Sequence, residues 1–284
     1  VAGTLFIVAT PIGNLEDLSP RAARMLGAVD VVLCEDTRHT GGLLRHLAVS
    51  TDCLSLHQHN EVERIGEVIE RLRSGQSAAL VSDAGTPCLS DPGARLVAAV
   101  HDANLPVVSV PGPFAAAVAF AAAGASASTF SFWGFVAKKP SARRTALVDR
   151  LVSGPGGADH AHIFYVPGRD LRAFVSDVGA VAPSSFVVVA RELTKIHEGY
   201  VRGTPAAVVD GLVDEYLRGE AAVIVQVDRS TQAAPVRAAD PDELIKAAIE
   251  EGTPRREALR SIAKQTGKAR RVLYKLWIDA GGKS

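Results

Sequence analysis

The sequence predicts an α/β protein: two α/β domains with a ligand cleft between them, followed by a C-terminal three-helix tail of helix-turn-helix-like character. Three observations predict it. Between residues 5 and 110 short apolar runs alternate with stretches of helical spacing, the pattern of a mostly parallel sheet. From Phe130 to Val227 such runs continue in a less regular order, which points to a second α/β domain with a mixed sheet. Beyond the polar, alanine-rich stretch Thr231–Ala239 the periodicity is wholly helical. The boundaries implied are 1–113, 114–229, a linker at 230–240 and a tail at 241–284.

In the first domain, Leu5–Ala9 reads as a strand that stops at the turn signal Thr10-Pro-Ile-Gly-Asn14. Pro20–Leu26 has helical spacing, with Ser19 as N-cap and Pro20 in the first helical position. Val29–Cys34 is the second strand and ends in Glu35-Asp-Thr-Arg-His-Thr40, before a short helix at Leu43–Leu47. Leu54–His57 is the third strand. Glu61–Leu72 is an amphipathic helix with Val62, Ile65, Val68, Ile69 and Leu72 on one side. Ala78–Val81 is a strand that enters Ser82-Asp-Ala-Gly-Thr-Pro-Cys-Leu-Ser-Asp-Pro-Gly93, and Ala94–Val100 is the helix after it. Val107–Val110 closes the series at Pro111-Gly-Pro113.

The second domain opens with the aromatic strand Phe130–Val136 and the basic stretch Lys138–Arg144. A helix at Thr145–Leu151, a strand at His162–Val166, a helix at Leu171–Val178 and a strand at Ser185–Ala190 follow. A helix at Val208–Leu217 and a closing strand at Ala221–Val227 complete it. In the tail, helices are expected at 241–251, 254–266 and 268–280, punctuated by Gly252, Gly267 and Gly281.

Composition narrows the class. Hydrophobic residues are 47% and charged residues 22%, as in a globular chain. Lys plus Arg and Asp plus Glu are 31 each, so no global field draws the chain to nucleic acid or membrane. Cys34, Cys53 and Cys88 form no Cys-x-x-Cys pair, which argues against zinc and disulfides and fits a reducing cytoplasm. The start lacks the marks of a signal peptide, and the longest apolar run, Phe114–Ala123, is too short to span a bilayer. His57 with His59, and His160 with His162, have no carboxylate or cysteine partners nearby in sequence, so no metal is expected.

In an open parallel sheet, the loops after successive strands gather at one edge and make a cleft. Here those loops are Thr10–Asn14, Glu35–Arg38, Ser82–Pro87 and Pro111–Pro113. Asp83 is placed to take an amine or hydroxyl, and Asp91 lies near a helix start. The plainer reading of the central loop is a strand-to-helix connector with a capped helix. No Gly-x-Gly-x-x-Gly and no Walker-type loop occurs, which argues against dinucleotides and nucleoside triphosphates. A nucleotide-like cofactor without phosphates, such as S-adenosylmethionine, suits these loops better.

These motifs in this order, with Ser90-Asp-Pro-Gly93 and Arg191-Glu-Leu-Thr-Lys195, resemble the ribosomal RNA small-subunit methyltransferase I family, within the tetrapyrrole-methylase-like superfamily. The resemblance spans roughly residues 3 to 228, and the helical tail matches the family's C-terminal extension. Two departures stand out. Tyr165-Val-Pro-Gly-Arg-Asp170 replaces the usual Tyr-Glu-Ser-Pro-His-Arg, and Phe132-Trp-Gly-Phe135 replaces Phe-Glu-Gly-Phe.

The resemblance implies 2′-O-ribose methylation of a cytidine in small-subunit ribosomal RNA by a homodimer that uses S-adenosylmethionine. On the cofactor it places Pro11, Ser82, Asp83, Ala84, Gly85, Thr86, Pro87, Pro111, Gly112, Pro113 and Ala115. From the second domain, Tyr165, Arg191, Glu192 and Leu193 would close over it. A ribose hydroxyl is a poor nucleophile, so a base or a charge near the developing alkoxide helps. Glu35 and Asp36 are candidates for base or orienter, Arg38 for a phosphate contact and Lys195 for the alkoxide; equally, Glu35–Arg38 can be an ion pair that holds the loop. RNA contacts are expected from Lys138, Lys139, Arg143 and Arg144, and in the tail from Arg255, Arg256, Lys268, Arg270 and Arg271. Two rival readings remain: a methylase of a tetrapyrrole precursor, and a non-catalytic RNA-binding protein that holds S-adenosylmethionine.

Overall fold

The computed structural model describes residues 1–155, 159–227, 241–250, 253–266 and 270–281. Residues 1–227 pack as one compact unit and 228–284 as another. The expected linker at 230–240 and Lys268 lie outside the described residues.

The first sheet holds β1 (Leu5–Val8), β2 (Val31–Cys34), β3 (Asp52–Ser55), β4 (Ala78–Leu80) and β5 (Val107–Val110). Their order is β3-β2-β4-β1-β5, with every pairing parallel. Helices α1 (Pro20–Ala28), α2 (Thr37–His46), α3 (Glu61–Arg73) and α4 (Ala94–Asp102) connect them. Both faces of this sheet are covered, which is why β2 and β4 read as unbroken apolar runs. Leu5, Leu33 and Leu80 pack against α3 and α4, while Val8, Val32 and Val81 pack on Leu26 of α1 and Leu44 of α2. Parallel order leaves the carboxyl ends of β1, β2, β4 and β5 at one edge.

The second sheet has β6 (Thr129–Phe135), β7 (His160–Pro167), β8 (Phe186–Arg191), β9 (Gly199–Gly203) and β10 (Glu220–Gln226), with α5 (Ala115–Ala122), α6 (Pro140–Leu147), α7 (Leu171–Val181) and α8 (Pro205–Gly211). Its order is β6-β7-β10-β8-β9, with β6 parallel to β7 and the other pairs antiparallel, so it is mixed. One face packs Phe164, Val187 and Val223 on Phe174 of α7, and the other packs Ile163, Val188 and Ile224 on Ala116 and Ala119 of α5.

Several elements differ from expectation for identifiable reasons. The run Phe114–Ala123 is the helix α5, apolar all round, so periodicity did not reveal it. β9 is bounded by glycines and sits at the sheet edge, where the apolar signal is weak. The α2 helix starts at Thr37, six residues before Leu43, because the Asp36 carboxylate accepts the backbone N–H groups of Arg38 and His39. α6 starts at Pro140, inside the basic stretch, and ends in a π-turn at Val148–Val152. The stretch 208–217 is split between α8, capped by Thr204, and a 3-10 turn at Asp214–Leu217. β10 is the last strand in sequence but the middle one in space.

The second unit is a three-helix bundle of α9 (Pro241–Glu250), α10 (Arg255–Thr266) and α11 (Arg270–Asp279). Ile245, Leu259, Ile262, Leu273 and Trp277 form its core. Tyr274 is exposed, and the Arg255 guanidinium stands 5.4 Å over its ring. No helix among the described residues is long and apolar enough to cross a membrane.

Candidate functional site

The carboxyl edge of the first sheet faces one surface of the second, and between them lies a cleft of about 540 Å³. The first sheet's side supplies Ile12 after β1, Glu35 after β2, Asp83 to Thr86 with Leu89 to Asp91 after β4, and Phe114 with Ala115 after β5. The second supplies Phe135 from β6, Tyr165 from β7, Ala190 from β8, Glu192, Leu193 and Lys195 beyond it, and Gly219 to Ala222 at the start of β10. Its lining combines apolar side chains, among them Ile12, Phe114 and Leu193, with five carboxylates (Glu35, Asp83, Asp91, Glu192 and Glu220) and Lys195.

The loops are braced from below. Thr10 and Gly85 exchange both backbone hydrogen bonds, at 2.9 and 3.1 Å, and so tie the β1 loop to the central loop. The buried Ser82 hydroxyl donates to the Gly85 carbonyl at 3.1 Å, and the Thr86 hydroxyl donates to the Pro113 carbonyl at 2.9 Å. One oxygen of buried Glu61 accepts the backbone N–H groups of Gly93, Arg95 and Leu96 at 3.0–3.2 Å. A carboxylate from α3 thus caps α4 and fixes the far end of the central loop. Cys88 and Ser90 in that loop, and Glu192 and Thr194 in the loop after β8, have positive φ between 49° and 70°. Such conformations cost of order 1 kcal/mol or more each and collect where a loop is held for a ligand. The Thr194 hydroxyl is also buried without a hydrogen-bond partner in this structure.

Electrostatics set the character of the cleft. Burial, reinforced by Glu35, Asp83 and Glu220, lifts the Asp91 carboxyl from 3.8 to about 6. Such a crowd of carboxylates is relieved by a cation. Burial pushes the Tyr165 hydroxyl up to about 12, with the Ala116 N–H opposing weakly, so this phenol stays neutral and can donate a hydrogen bond. Lys195 Nζ lies 3.1 Å from Glu192 Oε1. Its aliphatic stem crosses Gly13, where a Cβ would stand 2.7 Å from Lys195 Cγ; only glycine permits that approach.

Of the residues expected at the site, Glu35, Asp83, Ala84, Gly85, Thr86, Ala115, Tyr165, Glu192, Leu193 and Lys195 come together in the cleft. Ser82 and Pro87 are buried beneath the loop, Pro11 and Pro113 are half-buried supports, and Pro111 and Gly112 are exposed away from the cleft wall. Arg191 is a correction. Strand alternation sends its side chain to the opposite face of β8 from Ala190, where the guanidinium stacks 4.4 Å from the Tyr216 ring. Asp36 is a second: its carboxylate caps α2 and pairs with Arg38 at 3.1 Å. Those hydrogen bonds hold it down to about 2, too low for a base near neutral pH. Asp36 and Arg38 therefore brace the loop, and only Glu35 of this motif reaches the cleft.

Arg143 is a third correction. It is buried and its guanidinium pairs with buried Asp177 at 2.6 Å rather than standing free at the surface; Arg144 shares the same carboxylate but is largely exposed. Lys138, Lys139, Arg256 and Arg271 are exposed, and Arg255 is half-buried. Glu220 and Ala222 were missed because no turn motif announces the start of β10. Leu89, Ser90 and Asp91 belong to the central loop and Phe135 to the aromatic strand, but of these only Asp91 was singled out in the sequence, as a residue near a helix start. Phe130 and Phe132 are packed into the core. No group of three metal-ligating side chains gathers among the described residues.

Sequence comparison decides the lineage. Residues 4–208 match the profile of the Tetrapyrrole (Corrin/Porphyrin) Methylases. Ribosomal RNA small subunit methyltransferase I of Xylella fastidiosa is 42% identical over 275 residues, 96% of this chain and 98% of that protein. The chain belongs to this methyltransferase family. Proteins of the same description from Escherichia coli O157:H7 and Synechocystis are 38% and 36% identical, each over at least 96% of both chains. Uroporphyrin-III-C-methyltransferase of Thermus thermophilus shares the fold, with a TM-score of 0.54 at 20% identity over 79% of this chain and 94% of that one. A cobalt precorrin-4 methyltransferase does so with a TM-score of 0.56 at 18% identity, covering 78% and 94%. The methylase profile ends before β10, whereas the full-length family relatives run through β10 and the tail.

Proposed function

We propose that this chain transfers the methyl group of S-adenosylmethionine to the ribose 2′-oxygen of a cytidine in small-subunit ribosomal RNA. The observation that carries the proposal is the cleft itself, where carboxylates and apolar side chains share one lining within a chain of this family. The volume suits a nucleoside-sized ligand. The carboxylates suit an ammonium and a sulfonium, and Ile12, Phe114, Leu193 and Ala222 suit an adenine. When bound, the sulfonium supplies an already activated methyl group.

The chain then has to hold, orient and deprotonate. Asp83 would accept from the cofactor's amine or a ribose hydroxyl, and Asp91 and Glu220 would add negative charge for its cationic part. Placement of the acceptor oxygen in line with the sulfonium supplies much of the rate. Glu35 stands at the cleft to take the hydroxyl proton or orient it, and the Lys195 ammonium stabilises the alkoxide as it forms. The capped start of α2, with Asp36 and Arg38, keeps Glu35 in place. Lys138 and Lys139, with Arg255, Arg256 and Arg271 of the tail, supply phosphate contacts. The protein acts in the cytoplasm as a homodimer in this reading.

The experiment offers labelled S-adenosylmethionine together with unmodified small ribosomal subunits and, separately, a uroporphyrinogen. Label in the ribosomal RNA is expected. Label in the tetrapyrrole alone would reverse the substrate assignment in favour of the reading the fold likeness suggests, and label in neither would leave a binding protein.

A further inference from the structure

An exposed phenylalanine at the cleft mouth needs a reason. Phe135 ends β6 and is 47% exposed, while the other aromatics of that strand are packed inward. Its position is built. The β6–β7 register shifts between Phe132 and Phe135, which marks a bulge, and bulges re-aim side chains beside functional sites. Gly134 sits in the bulge at φ 65°, and a Cβ there would come within 2.7 Å of Ser90 Oγ in the central loop. One side of the Phe135 ring is held by the edge of Tyr165, with centroids 5.4 Å apart. Leu89, 40% exposed, comes from the central loop to the same cleft. Three and four residues beyond Phe135, Lys138 and Lys139 are exposed.

We propose that Phe135 is the stacking platform for the acceptor nucleobase, with Leu89 as its apolar neighbour and Lys138 and Lys139 on the flanking phosphates. This rests on the RNA reading above. A methyl donor recessed between two sheets is reached most directly by the ribose of a nucleotide that has left its neighbouring stack, and an unstacked base is stabilised by a flat apolar surface. A single aromatic face followed by cations is the arrangement that holds single-stranded RNA. The occupant is thus one unstacked nucleotide of a single-stranded or locally opened RNA, with its base on Phe135 and its ribose towards Glu35 and Lys195.

The test compares wild type with Phe135→Ala and Phe135→Trp, using small subunits as acceptor and measuring cofactor affinity by calorimetry. Phe135→Ala is expected to lose tenfold or more in kcat/KM for RNA, on the order expected for one lost base stack, with cofactor affinity within about twofold of wild type. Phe135→Trp is expected to stay within a few-fold of wild type in both. Unchanged RNA kinetics in Phe135→Ala overturn the proposal, as does an equal loss in both variants or a loss of cofactor affinity that accounts for the defect. Failure of the wild type to methylate RNA overturns the underlying reading and this proposal with it, so the two failures are distinguishable.

Discussion

Asp91 offers a direct probe of the cleft's charge, because it should make the empty protein less stable while helping it bind a cation. Partial burial, reinforced by Glu35, Asp83 and Glu220, raises its carboxyl from 3.8 to about 6. The folded protein then holds the proton more tightly than the unfolded chain. Above 6 both states are ionised and folding carries the full penalty; below 3.8 both are protonated and the penalty is gone. At about 1.4 kcal/mol per tenfold change in proton affinity, the penalty is about 3 kcal/mol for a sealed site, and solvent screening of a half-buried group brings it to about 1–2 kcal/mol. Asp91→Asn removes it. At pH 7.5 the variant should melt about 2–8 °C above wild type in scanning calorimetry, and the gain should shrink as pH falls through 6. The same substitution should weaken S-adenosylmethionine binding at pH 7.5, and wild-type affinity should fall as pH drops through 6. A lower melting temperature for the variant at pH 7.5, or a gain that does not change with pH, would refute the electrostatic argument.

Further outcomes follow from the same geometry. Asp83→Ala should abolish cofactor binding, read by calorimetry; retained affinity would remove the central loop's carboxylate from the site. Arg143→Ala leaves Asp177 short of its buried partner and should cost about 3 kcal/mol in denaturant unfolding, whereas Lys138→Ala/Lys139→Ala should keep stability and lower the salt slope of RNA binding by about 2. Glu61→Ala leaves three N–H groups at the start of α4 without their acceptor and should cost about 2–3 kcal/mol in denaturant unfolding; Glu61→Gln, which keeps an acceptor oxygen, should cost less.

Most strands and the shared loop edge were legible because apolar runs ending in Gly, Pro and acidic residues carry both the strand and its exit. Ser19 and Pro20 announced α1, and Ser19 Oγ accepts the Ala22 N–H at 3.1 Å. Strand alternation was legible in principle: Ala190 and Arg191 must face opposite ways, yet motif likeness alone put Arg191 in the site. What stayed hidden was long-range pairing. Asp177 lies 34 residues from Arg143, so a local count of basic residues reads a buried ion pair as surface charge. The same holds for Glu61, whose acidic position on α3 looks like an ordinary first-turn residue until α4 is seen to start against it. The start of β10 carries Glu220 to the cleft only because β10 lies between β7 and β8, an order that no single segment encodes.

The central claim, transfer of a methyl group to a ribose oxygen, is tested most directly by alkaline cleavage. Small-subunit RNA treated with the protein and S-adenosylmethionine is hydrolysed and read at nucleotide resolution. A 2′-O-methyl group blocks the hydroxyl that attacks the adjacent phosphate, so the account predicts one new resistant site, at a cytidine. Methyl transfer that leaves every position cleavable would place the methyl group on a base and contradict the account.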